Sequence, residues 1–297
     1  MHAEELRIEL ADRTLAALAW GDPEQQPMLA LHGWLDNAGS FSAIAPLLAK
    51  RHYVVAIDLR GHGRSSHLPP GGWYHYVDYF DDLRATLDRF RWAKATLFGH
   101  SLGGTLASLF AAAYPERVDA LLLVEALGPL TVPPEDTLAQ LKRGLDERTA
   151  FANRRALRVF GDLDAAIEAR ATASGFSGQV ARALVERGVR EVDGGYVWSS
   201  DPRLTLTSAQ RYSEAQVSAM LSGIRTPTLL ILAEPATSYL PDAMMRERAA
   251  HVGDIEVVHL AGHHHLHLES PREVSGIVAR LLEARARCSG ESGLPSP

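Results

Sequence analysis

Four short apolar runs, each leading into a segment of helical spacing, constrain this chain most. The runs are Pro27–His32 (PMLALH), Tyr53–Asp58 (YVVAID), Ala95–Phe98 and Asp119–Glu125 (DALLLVE). Helical segments interleave with them. In Ser40–Lys50, Phe41, Ile44, Leu47 and Leu48 fall on one face; Tyr76–Phe90 carries Asp81, Asp82, Arg84 and Asp88 on its wet side; Ser101–Tyr114 follows the third run. A strand with one wet face alternates apolar and polar residues, and these runs do not. They predict a parallel sheet covered by helices on both faces, an α/β fold. Leu6–Leu10 and Thr14–Trp20 predict a hairpin ahead of it.

The pattern changes after Gly128. Helical segments are expected at Pro134–Leu145, Thr149–Phe160, Leu163–Ser174 and Gly178–Gly188, with no clear series of strands. Alternation resumes with Thr226–Ala233, Pro241–His251, Ile255–Leu260 and a last helix, Pro271–Arg287. The expected organisation is a core over 1–129 and 224–288, a helical insertion over 130–223, and a disordered Ser/Gly/Pro-rich tail over 289–297. The insertion is too long to be a loop.

Composition excludes several classes. Of 297 residues, 46% are hydrophobic and 22% charged, as in ordinary soluble chains. The net charge of -6 argues against a nucleic-acid binder. Cys288 is the single cysteine, so no intramolecular disulfide can form. Met1–Leu10 carries Glu4, Glu5, Arg7 and Glu9 and does not read as a signal peptide. No apolar run approaches the roughly 20 residues that a spanning helix needs. The expected location is the cytoplasm, away from the membrane.

The chemistry centres on Gly99-His100-Ser101-Leu102-Gly103, a G-x-S-x-G pattern. Alone it also fits a glycine-rich helix cap. Here a strand precedes it and a helix follows, the setting of a nucleophile elbow. The sharp turn needs small neighbours and lifts the Ser101 hydroxyl to the end of the sheet. The Leu102 N–H, at the helix start, points to the same spot. His32-Gly33-Trp34 ends another strand, where a turn could aim the Trp34 N–H as a second oxyanion donor and let the indole line the pocket. A turn with a packed tryptophan is the alternative. Gly262-His263-His264-His265-Leu266-His267-Leu268-Glu269 follows the last strand, where a general base should arrive. Four histidines in five positions also invite a metal, but no Cys or Asp/Glu set stands at ligand spacing nearby. No metal and no cofactor is expected.

Together these segments resemble the α/β-hydrolase superfamily. HGWLDNAGSF, AIDLRGHGRSSHLPPG, YHYVDY and GHSLGGTLASLFAAAYPERVDALLLVEALGP look like its serine hydrolase-like branch. The resemblance covers 1–129 and 224–280, and over the insertion it is one of position and helical character. It implies an eight-stranded, mostly parallel sheet with a helical cap after strand six. It implies that His264 is the base, five positions before Glu269 of Glu-x-Pro and two after Gly262, with His263 and His265 as neighbouring alternatives. His267 is expected to pack beneath the loop. The usual acid follows strand seven, but Ala236 occupies that position and Glu234 is offset from it. The second arrangement in the superfamily places the acid after strand six, where Glu125 stands. A carboxylate at a buried strand end costs several kcal/mol without a partner, and a histidine is its natural partner. Glu234, Asp242 and Asp201 remain alternatives. Asp58, Arg60, His62 and Arg64 look structural, and Asp201-Pro202-Arg203 reads as a contact between insertion and core.

The expected function is hydrolysis of a small-molecule carboxylic ester through an acyl-enzyme, by Ser101, His264 and Glu125, with Trp34 and Leu102 N–H groups holding the oxyanion. Serine at the elbow argues against dehalogenases and epoxide hydrolases of this superfamily, which the resemblance says carry aspartate there. A thioesterase, a carbon–carbon bond hydrolase or a perhydrolase would share the triad. A non-catalytic small-molecule receptor is the reading from another class.

Overall fold

The structure, a computed structural model, describes residues 1–152, 157–175 and 177–291. The chain opens with β1 (Glu4–Glu9), β2 (Thr14–Trp20), β3 (Gln26–Leu31), α1 (Ala45–Leu48) and β4 (His52–Ile57). Then come α2 (Tyr76–Arg89), β5 (Ala95–His100), α3 (Leu102–Ala113) and β6 (Val118–Val124). An insertion holds α4 (Thr137–Ala152), α5 (Leu163–Ser174), α6 (Gly178–Gly188), β7 (Val189–Val192), β8 (Gly195–Trp198) and α7 (Glu214–Leu221). The chain closes with β9 (Thr228–Glu234), α8 (Asp242–Ala249), β10 (Ile255–Ala261), α9 (Leu266–Glu269) and α10 (Pro271–Glu291).

Eight strands form one sheet in the order β1-β2-β4-β3-β5-β6-β9-β10. β1 and β2 pair antiparallel, as do β2 and β4, and the remaining pairs are parallel. Both faces are buried, as the unbroken apolar runs require. Leu29, Leu31, Val55, Leu97 and Leu123 pack with Leu83, Leu106, Phe110 and Met245 on one side. Met28, Ala30, Val54, Phe98 and Ile231 pack with Phe41, Ile44, Val274 and Val278 on the other. No helix among the described residues is long and apolar enough to cross a membrane.

Three elements differ from the sequence expectation. Ser40–Lys50 is a 3-10 turn over Ala38–Phe41 followed by α1, with Pro46 in the first turn of α1. Proline lacks an N–H and clashes with the carbonyl four residues back, so one continuous helix cannot pass through it. In the insertion α4 runs through Thr149 to Ala152. Within the helix expected over Thr149–Phe160, residues 153–156 lie outside the description, and Phe160 exchanges backbone hydrogen bonds with Tyr196. The insertion also holds an antiparallel hairpin, β7–β8, around Asp193-Gly194. That Asp-Gly turn, flanked by Val192 and Tyr196, was the available signal for it. Of the expected tail, 292–297 lie outside the described residues.

Candidate active site

β3, β5, β6, β9 and β10 run parallel, so the segments leaving their C-terminal ends meet along one edge. Ser101 leaves β5 with φ +49° and ψ -114°, then caps α3. A non-glycine residue there is strained, and the strain holds only because the surroundings enforce it. Its N–H donates to the Val124 carbonyl at 3.0 Å, and the Gly103 N–H donates to the His32 carbonyl at 3.0 Å. A Cβ on Gly103 would lie 1.9 Å from the Leu31 carbonyl oxygen, so α3 can sit this close to β3 only over glycine. Leu102 is the first residue of α3, where an N–H has no acceptor inside the helix.

Glu125 leaves β6 with φ +54°, also in the left-handed region, and is only 2% exposed. One carboxylate oxygen accepts from the Ala233 N–H at 2.6 Å, and the other lies 3.1 Å from His264 Nδ1. A carboxylate acts only as acceptor, so Nδ1 carries the proton and Nε2 is left as the basic nitrogen. Tyr239 packs edge-on against the His264 ring, with centroids 5.3 Å apart. Burial, then the Glu125 charge, raises the Tyr239 hydroxyl pKa to about 12.

The alternative residues lie elsewhere. His263 is 82% exposed and 3.6 Å from Glu269. His267 is buried beneath the loop, with Nε2 2.6 Å from Ser40 Oγ. Glu234 ends β9 exposed. Asp242 pairs with His259 at 2.8 Å and with Arg246. Asp201 joins insertion and core: its N–H donates to the Gly61 carbonyl at 2.7 Å, and it accepts from the Tyr74 hydroxyl at 2.8 Å. Asp58 does the same, accepting from Ala38 N–H at 2.7 Å and Arg187 Nε of α6 at 2.9 Å.

Trp34 stands in the turn Gly33–Asp36, closed by the Asp36 N–H donating to the Gly33 carbonyl at 3.1 Å. Its indole N–H donates to the Leu204 carbonyl of the insertion at 2.9 Å. A cavity of about 370 Å³ lies between the insertion and this turn, lined by Leu35, Phe160, Arg170, Leu184 and Trp198 among others. Neither Ser101, Trp34 nor His264 lines it.

Residues 26–271 match the family described as the alpha/beta hydrolase fold. The chain belongs to the α/β hydrolases. This α/β hydrolase is 33% identical to the serine hydrolase-like protein of Danio rerio, over 98% of this chain and 91% of the other. It is 37% identical to a hypothetical protein from Pseudomonas aeruginosa PAO1, with TM-score 0.87 over 96% of this chain and 99% of that one. The thioesterase domain from the curacin biosynthetic pathway is 26% identical, with TM-score 0.81 over 94% of this chain and all of that one.

Sequence reasoning missed one feature of this α/β hydrolase. Asp36, His100 and His265 form a buried cluster behind the Glu125–His264 pair, with polar atoms all within 4.8 Å of one another. Asp36, two positions beyond Trp34 in a loop of small and apolar residues, was the available signal. Burial raises the Asp36 pKa, but His265 and Arg170 beside it outweigh that and hold the carboxyl well below its usual range.

Proposed function

We propose that this protein is a serine hydrolase that cleaves a small-molecule carboxylic ester through an acyl-enzyme. The half-buried hydrogen bond between His264 and Glu125, on the same sheet edge as the strained Ser101, carries the reading. Ser101 Oγ attacks the ester carbonyl while His264 Nε2 takes its proton. The C–O bond to the alcohol then breaks, and the imidazolium returns the proton to the leaving oxygen. Water, deprotonated by the same nitrogen, releases the acid and regenerates Ser101. Glu125 holds the tautomer and stabilises the imidazolium. The Leu102 and Trp34 N–H groups receive the oxyanion. The insertion acts as a cap that excludes water.

A fluorophosphonate probe tests this directly. The expected result is one phosphonyl group per chain, carried by Ser101, with loss of fluoride. Ser101→Ala should abolish both labelling and turnover of p-nitrophenyl esters, acetate to palmitate, with an unchanged circular dichroism spectrum. An unlabelled wild-type chain that turns over no ester would refute the reading. The likeness to a thioesterase domain supports a thioester as the second reading. An ester and a thioester with the same acyl group, compared by kcat/KM, decide between them.

A further inference from the structure

Three segments at the sheet edge meet at one buried carboxylate. Asp36 belongs to the turn that carries Trp34, and its own N–H closes that turn. His265, next to His264, places Nε2 3.1 Å from Asp36 Oδ2. His100, next to Ser101, places Nδ1 3.6 Å from the same oxygen. A fourth segment comes from the insertion: Arg170 of α5 pairs with Asp36 Oδ1 and reaches the Leu35 carbonyl at 3.4 Å. The Asp36 side chain is fully buried and that of Arg170 is 15% exposed.

His100 cannot hold this carboxylate. Its Nε2 lies 2.9 Å from the His264 carbonyl oxygen, an acceptor only, so Nε2 carries the proton. Burial lowers the His100 pKa to about 3, so the ring is neutral at pH 7. Its Nδ1 therefore turns a bare lone pair toward Asp36 and has no hydrogen-bond partner. The carboxylate is held against that repulsion from its other sides, by His265 and Arg170. Packing transmits any shift: a Cβ on Gly33 would lie 2.8 Å from His100 Nδ1 and 2.9 Å from Asp36 Oδ2.

We propose that Asp36 is a positioning residue that gathers the oxyanion turn, the nucleophile elbow and the base loop, and that the insertion completes the site by docking Arg170 on it. This deepens the serine-hydrolase reading and rests on it for its effect on rate. Removing the Arg170 charge should let Asp36 move, and His264 and the Trp34 N–H with it. Misplacement of this kind lowers the rate of the chemical step more than it weakens binding.

The test uses the full chain, p-nitrophenyl butyrate and four proteins: wild type, Arg170→Lys, Arg170→Met, and Arg170→Met with Asp36→Asn. Arg170→Met is expected to lower kcat by about 10- to 100-fold with KM changed less than about threefold. Arg170→Lys, which keeps the charge, should recover most of the loss. Arg170→Met leaves a buried carboxylate uncompensated and can fail to fold. The double variant removes both charges, and it should melt near the wild-type temperature and still show the lowered kcat. Wild-type kcat in a folded double variant would overturn the proposal, as would a change in KM alone. If wild type neither turns over ester nor takes the fluorophosphonate label, the serine-hydrolase reading fails separately. The ring NMR signals of His264 then decide: shifted signals in the double variant support positioning by Asp36, and unmoved signals overturn it.

Discussion

His264 Nδ1 lies 3.1 Å from one oxygen of Glu125, and the Ala233 N–H of the neighbouring strand holds the other oxygen at 2.6 Å. β9 thus supplies a backbone donor to a carboxylate that leaves the end of β6. That donor holds the Glu125 carboxylate facing the His264 ring.

Glu125→Gln should therefore lower kcat steeply. An amide can offer its NH2 to Nδ1, hold the wrong tautomer and leave the imidazolium unstabilised; the comparable change in a chymotrypsin-type triad costs about 10⁴-fold. Glu234→Gln should change kcat by less than about twofold, because that carboxylate is exposed. Steady-state kinetics of the two variants check the assignment. A severe loss in Glu234→Gln with a mild one in Glu125→Gln would reverse it.

Stability should fall on the acid side of neutrality. His32, His62 and His100 are buried, and burial lowers their pKa values to about 4, 3 and 3. The unfolded chain takes up protons near pH 6.5 that the folded chain refuses. Their contribution is complete above about pH 6.5 and is lost as pH falls toward 4 and then 3. The slope is about 1.4 kcal/mol per pH unit for each such histidine. Melting curves at constant ionic strength should show Tm falling from pH 7 to pH 5, and a flat profile would contradict the burial of these rings.

Gly103→Ala should destabilise the fold by at least about 3 kcal/mol, because the added Cβ meets the Leu31 backbone and nothing there can rotate away. Gly161→Ala is the control: no heavy atom lies within 4 Å of its Cβ position, and a change within about 0.5 kcal/mol is expected. Urea unfolding of both variants reads the difference. Equal stabilities would mean that α3 is free to lift off β3.

The sequence by itself determined what depends on neighbours along the chain. Unbroken apolar runs dictate a sheet buried on both faces, and the strand–GHSLGG–helix segment dictates a strained turn at Ser101, because period and small residues act locally. The resemblance to the α/β-hydrolase superfamily, and not local spacing alone, brought Glu125 and His264 forward as partners. The sequence did not separate Glu125 from Glu234, since one follows the end of a strand, the other ends one, and exposure is a property of packing. The Asp36 cluster was beyond its reach for the same reason. Arg170 lies 134 residues from Asp36 and His265 lies 229, and only the docking of the insertion and the convergence of parallel strand ends bring them together. Such contacts follow from three-dimensional closure, which no local periodicity encodes.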